Sequence, residues 1–182
     1  MLWEVSAGGR IRIGFVSADF RTHATSMLLV QTLERLDRRR FEVVLYSHGR
    51  SDGSALRARV EAAADRFVDC TEMNAEEQAA VIRKDGTALL VDLSGYTANT
   101  RLGVFALRPA PVQALWLAYP STTGADFIDY LIGDPHSTPP DSDRWYSETV
   151  WRLPVTRFAY RPPRASPDPA LLRAWQRLDA AA

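Results

Sequence analysis

At 182 residues the chain is long enough for one domain with a sizeable core, and at 46% hydrophobic and 24% charged it has a globular composition. Basic and acidic residues balance at 22 each, which excludes a broad electrostatic footprint for nucleic acid. No stretch approaches the roughly 20 apolar residues of a membrane span, and a single cysteine excludes an internal disulfide, so a cytoplasmic location is expected.

Residues 1–10 read as a lead-in that breaks at Gly8-Gly9, with neither the basic nor the apolar region of a signal peptide. The pattern predicts a buried strand over Ile11–Val16, then an abruptly polar stretch, Ser17 to Ser26. A helix capped by Thr25 or Ser26 is expected to run to about Arg38, burying Leu29, Leu33 and Leu36. Phe41–Tyr46 is rich in strand formers. A helix over about Ser54–Ala64 and a short strand, Arg66–Cys70, follow. Asn74 and Glu77 carry a capping-box signal, and Arg83, Lys84 and Gly86 the matching stop signals. Ala88–Leu93 is a continuous apolar run suited to a strand buried on both faces.

A short helix over Arg101–Leu107, strands at Val112–Leu117 and Tyr130–Ile132, a proline-rich loop over Pro135–Pro140 and a last strand at Thr149–Leu153 complete the domain, taken as residues 11–160. Beyond it, 161–182 reads as a proline-rich linker and an amphipathic helix carrying Leu171, Leu172, Trp175 and Leu178. Strands alternating with helices predict a doubly wound, mostly parallel Rossmann-like α/β sheet.

In such a sheet ligands gather beyond the carboxyl ends of the strands. That rule collects Ser17, Asp19 and His23, then Ser47 and His48, Asp69, Ser94 to Thr97, Tyr119 to Thr123, and Asp134 with His136. The set is rich in hydroxyls and poor in fixed charge, which suits a sugar or an alcohol acceptor. Neither glycine-rich phosphate motif occurs, no nucleophile elbow is present, and the three histidines lack metal-ligand spacing. No metal and no cofactor are expected. Asp19 and His23 supply a carboxylate and an imidazole four residues apart, groups suited to moving a proton. By residue type alone, Asp19 serves equally well as a turn cap or a partner of Arg21, and His23 as a helix-cap group. Cys70, at the end of an apolar run, reads as a small buried residue.

Three segments taken together, RIGFVSADFRTHATS, DGTALLVDLSGYT and FALRPAPVQALWLAYPSTTGADFIDYLIGD, resemble the protein O-linked N-acetylglucosamine transferases, and more narrowly their bacterial SPINDLY-type relatives. The similarity covers about Arg10 to Pro163. It implies the N-terminal half of a GT-B catalytic region, whose missing C-terminal domain binds the nucleotide, so the chain is expected to be a piece that is inactive alone. It implies inverting transfer of N-acetylglucosamine from UDP-N-acetylglucosamine to protein Ser/Thr hydroxyls. It also implies catalytic roles for Asp19 and His23, and substrate contacts from Thr25, Tyr96, Leu117, Ala118 and Pro120. Three positions depart from the family pattern: Ala24 stands for a proline, Met27 for a second histidine, and Ala118 for a glycine. The competing readings are a stand-alone binding module that has lost catalysis, and an O-fucosyltransferase relative using GDP-fucose.

Overall fold

The computed structural model describes residues 9–158. The seven strands are β1 (Ile11–Ser17), β2 (Phe41–Ser47), β3 (Arg66–Asp69), β4 (Leu89–Asp92), β5 (Val112–Trp116), β6 (Tyr130–Gly133) and β7 (Thr149–Arg152). They form one sheet in the order β3-β2-β1-β4-β5-β6-β7, with every neighbouring pair parallel. The sheet is thus wholly rather than mostly parallel, and the chain reverses its direction of travel between β1 and β4. A crevice opens beyond the strand ends at such a reversal.

Four helices connect the strands: α1 (Ala24–Arg35), α2 (Ala55–Ala62), α3 (Ala75–Lys84) and α4 (Leu102–Ala106). Alternation along each strand gives the sheet two apolar faces. On one face Ile13, Phe15, Val43, Leu45 and Val91 pack with Leu29 and Leu33 of α1 and Val60 of α2. On the other, Val16, Val44, Leu90 and Leu115 pack with Ile82 of α3 and Phe105 of α4. Each fully buried Leu, Ile, Val or Phe contributes about 1.5–3 kcal/mol relative to exposure, so the two layers fix the sheet that carries the loops. Cys70 is fully buried, and burial pushes its thiol up to about 12, as suits a small core residue rather than a nucleophile.

Both ends of α1 and one further element differ from expectation by more than fraying at strand and helix ends. α1 starts at Ala24 with His23 as its N-cap, not Thr25 or Ser26, because His23 is extended and its ring nitrogen accepts from Thr25 N. It ends at Arg35 rather than Arg38, since Leu36 leaves the helical region and Asp37 O accepts from the N–H groups of Arg40 and Phe41, turning the chain into β2. After the proline-rich loop, Pro140–Trp145 forms a 3-10 helix with proline at its start. The linker and amphipathic helix expected over 161–182 lie outside the described residues.

Candidate active site

The loop after β1 is held by its own backbone before any ligand arrives. Asp19 N donates to Ser17 Oγ (2.9 Å), Arg21 N to Asp19 O (2.8 Å), and the buried Ser26 hydroxyl to Asp19 O (2.6 Å). These contacts point the Asp19 carboxylate, on a residue 8% exposed, into the crevice beside His23. Arg21 Nη2 lies 3.0 Å from Asp19 Oδ1, and His23 Nδ1 lies 3.7 Å from Asp19 Oδ2. Nδ1 also accepts from Thr25 N at 3.2 Å and sits 3.1 Å from Thr25 Oγ1.

The backbone N–H of Thr25 can only donate, so in the neutral ring Nδ1 bears the lone pair and Nε2 the hydrogen. His23 is therefore a helix cap with an N–H to offer. Protonated, its Nδ1 has a carboxylate within ion-pair reach. Asp19 pairs with Arg21 through one carboxylate oxygen and faces the His23 ring with the other.

A cavity of about 410 Å3 gathers Asp19, Arg21, His23, Thr25, Leu28, Thr97, Ala98, Asn99, Leu117, Ala118, Arg157 and Phe158. Leu117 is 2% exposed and has φ 85, a left-handed conformation that costs a residue with a Cβ about 1–2 kcal/mol. It stands immediately after β5, where the sharp turn sets Ala118 on the cavity wall. Local strain of this kind, held by a packed surround, is characteristic of ligand sites.

Tyr96 and Pro120 do not line this cavity. Asp92, 2% exposed at the end of β4, accepts from Ser94 N (2.9 Å) and Gly95 N (2.8 Å), and burial pushes its carboxyl up to about 6. Gly95 has φ 55, and a Cβ there would lie 2.4 Å from Tyr119 Cβ. The exposed Tyr96 ring then meets Tyr119 edge-on at 5.7 Å and donates its hydroxyl to Thr123 O (2.9 Å). Tyr96 thereby ties the β4 loop to the loop that carries Pro120. The far end of that loop is anchored by Glu148, 4% exposed, which accepts from Thr122 Oγ1 and Thr123 N, both at 2.7 Å, and from Thr123 Oγ1.

His48 lines a second, adjoining polar crevice with Arg21, Arg50, Asp52 and Arg101. Its Nε2 lies 2.9 Å from Asn99 O, so Nε2 bears the hydrogen, and burial pushes its pKa down. It is a neutral strut for the Asn99 turn, whose φ is 62. Asp134 accepts from the N–H groups of Arg157, Ser137 and His136, which hold its carboxyl at about 2. Asp69 accepts from Thr71 N in a local turn. Among the described residues no three His, Cys, Asp or Glu side chains converge as metal ligands would, and no helix is long and apolar enough to cross a membrane.

The sequence reading missed Arg157, Phe158, Asn99 and Glu148. The strand-end rule, carried on to β7, leads to Arg157 and Phe158. Asn99, of a residue type that tolerates left-handed backbone, was legible as a turn. Glu148 gave no signal beyond being an acidic residue beside a strand.

The model of glycosyl transferase family 41 matches residues 3–160. A UDP-N-acetylglucosamine–peptide N-acetylglucosaminyltransferase from Caenorhabditis elegans is 40% identical over 86% of this chain and 14% of that protein. The probable SPINDLY N-acetylglucosaminyltransferase of Oryza sativa subsp. japonica is 38% identical over 88% of this chain and 18% of its own length. Among solved structures, an O-GlcNAc transferase of Thermobaculum terrenum, the K341M mutant, superposes with a TM-score of 0.82 at 42% identity, covering 87% of this chain and 30% of that one. The chain thus spans less than a third of each of these proteins. The family expected from the three segments is the family found: the chain belongs to glycosyl transferase family 41.

Proposed function

We propose that the chain is the acceptor-side half of an inverting glycosyltransferase that moves N-acetylglucosamine from UDP-N-acetylglucosamine to Ser or Thr hydroxyls of a protein. The observation that carries this reading is the linked Asp19, His23 and Thr25 set on the wall of one cavity with Leu117 and Ala118. The acceptor oxygen bonds to the anomeric carbon as the bond to the diphosphate oxygen breaks, and a single displacement inverts the configuration. The bonding pair leaves with UDP, and the hydroxyl proton passes to His23 Nδ1, whose lone pair is freed as the cap bond from Thr25 N opens. The resulting imidazolium faces Asp19 Oδ2, which lies 3.7 Å away. General-base assistance of this kind is worth about 10²–10⁴-fold.

Thr25, Leu117, Ala118 and, through the loop that Tyr96 ties down, Pro120 shape the sugar subsite. Base and most diphosphate contacts belong to a C-terminal nucleotide-binding domain, so the chain alone does not turn over. The working location is the cytoplasm, with a protein acceptor and a nucleotide sugar as partners, and neither nucleic acid nor membrane.

One observation favours the binding-module reading: Arg21 already occupies one oxygen of Asp19. The deciding experiment joins this chain to the nucleotide-binding half of the Thermobaculum terrenum enzyme and measures sugar transfer to an acceptor protein. Transfer of N-acetylglucosamine from UDP-N-acetylglucosamine supports the proposal. No transfer, in a folded fusion, leaves the binding module.

A further inference from the structure

After β7 the chain turns back across the carboxyl edge of the sheet. Trp116 Nε1 donates to Arg157 O (3.1 Å), and Arg157 N donates to Asp134 Oδ2 (2.8 Å), so the backbone of Arg157 is held from two sides. Arg157 lines the cavity that holds Asp19 and His23. The residue is 6% exposed, yet among the described residues no acceptor reaches its guanidinium, and Nε is sealed from solvent without a partner. The Phe158 ring centroid lies 4.8 Å from Cζ, within cation–π reach. Asp134 is close enough to favour the charge, but its carboxylate is engaged by backbone N–H groups.

Burial pushes the guanidinium below its ordinary value, but an arginine stays protonated in a protein. A buried guanidinium whose N–H donors find no acceptor is costly, and a bound anion is one explanation for keeping it. The other charges on this wall, Asp19 and Arg21, cancel as a pair. Arg157 therefore brings to the cavity a guanidinium whose charge Asp134 favours through space but whose planar fork of N–H donors has no acceptor among the described residues. That fork matches two phosphoryl oxygens.

We propose that Arg157 is an anion-binding residue of this cavity and takes phosphoryl oxygens of the donor's diphosphate. The inference rests on the transferase reading above. The neutral acceptor hydroxyl brings no anion, whereas the departing diphosphate gains charge as the bond to the sugar breaks. A fixed cation at that point lowers the barrier to its departure.

The test is calorimetric titration of the full chain with inorganic pyrophosphate, UDP-N-acetylglucosamine and free N-acetylglucosamine. Wild type is compared with Arg157→Met, and with Arg157→Gln should the first variant not fold. Pyrophosphate and the nucleotide sugar should bind wild type weakly and the variants at least tenfold more weakly, while the free sugar is unaffected. The Met variant should also melt above wild type, because buried N–H donors without an acceptor are gone. Equal pyrophosphate affinity in wild type and variant, or none in wild type, overturns the proposal. Binding of UDP-N-acetylglucosamine that ignores Arg157 overturns it while sparing the transferase reading. Arg157-dependent pyrophosphate binding without any nucleotide-sugar binding keeps the anion site and removes the donor as its ligand.

Discussion

Replacing Glu148 by alanine removes the carboxylate that pins the loop after β5 to the start of β7. Three donors converge on it: the hydroxyls of Thr122 and Thr123 and the backbone N–H of Thr123. Hydrogen bonds to a charged group contribute about 1.5–3 kcal/mol each, and a buried donor left unpaired adds its own desolvation cost. The freed hydroxyls rotate and find water, so the loss is smaller than the sum, about 3–5 kcal/mol. In urea, with a slope of about 2 kcal/mol/M, the unfolding midpoint of the chain should drop by about 2 M.

The same carboxylate sets a pH signature. Burial pushes Glu148 up, but the bonds from Thr123 and Thr122 together outweigh it and leave the group below its ordinary value of 4.5. A depressed acid stabilises above its unfolded pKa and loses that contribution as pH falls through the folded one. The stability gap between wild type and Glu148→Gln should therefore be full at pH 7 and close on acidification below about 4.5. A loss under 1 kcal/mol in Glu148→Ala, or a gap independent of pH, would refute the anchoring role.

Gly95→Ala forces a Cβ to within 2.4 Å of Tyr119 Cβ at a φ of 55, and should cost about 2–4 kcal/mol in urea unfolding while releasing the Tyr96–Thr123 bond. Asp92 behaves oppositely to Glu148. Its carboxyl rises from 3.8 to about 6 on burial, so the folded state holds the proton longer and stability falls as pH rises between those values. That fall amounts to about 3 kcal/mol, and Asp92→Asn should abolish it; an unchanged pH profile would contradict the assignment.

The sheet was legible because its strands are apolar runs bounded by turn residues, and each expected strand from Ile11 to Leu153 lies within a residue or two of an observed one. What escaped depended on side-chain geometry, some of it between residues distant in sequence. His23 is not a preferred capping residue, so the pattern placed the helix start at Thr25; only its ring position against Thr25 N reveals the cap. Tyr96, expected as a substrate contact, donates its hydroxyl to Thr123 O, 27 residues away, a tie between loops that no local pattern reveals. The strand-end rule points only to the neighbourhood of Arg157; its meaning comes from Trp116 and Asp134, which position it, and from the absence of an acceptor for its Nε among the described residues. Asp19 was readable as either a proton-handling group or a partner of Arg21. It has both neighbours, one on each oxygen.

The most direct test of the account is the rate of N-acetylglucosamine transfer by this chain joined to a family nucleotide-binding half, with His23→Ala compared to wild type. Because His23 also caps α1, His23→Asn, which restores a cap without a proton-accepting ring, is measured beside it. The account predicts that both variants fold and that both lose at least about 100-fold in kcat. Transfer at the wild-type rate by His23→Asn would show that the imidazole moves no proton, and the site as described would not be the catalytic centre.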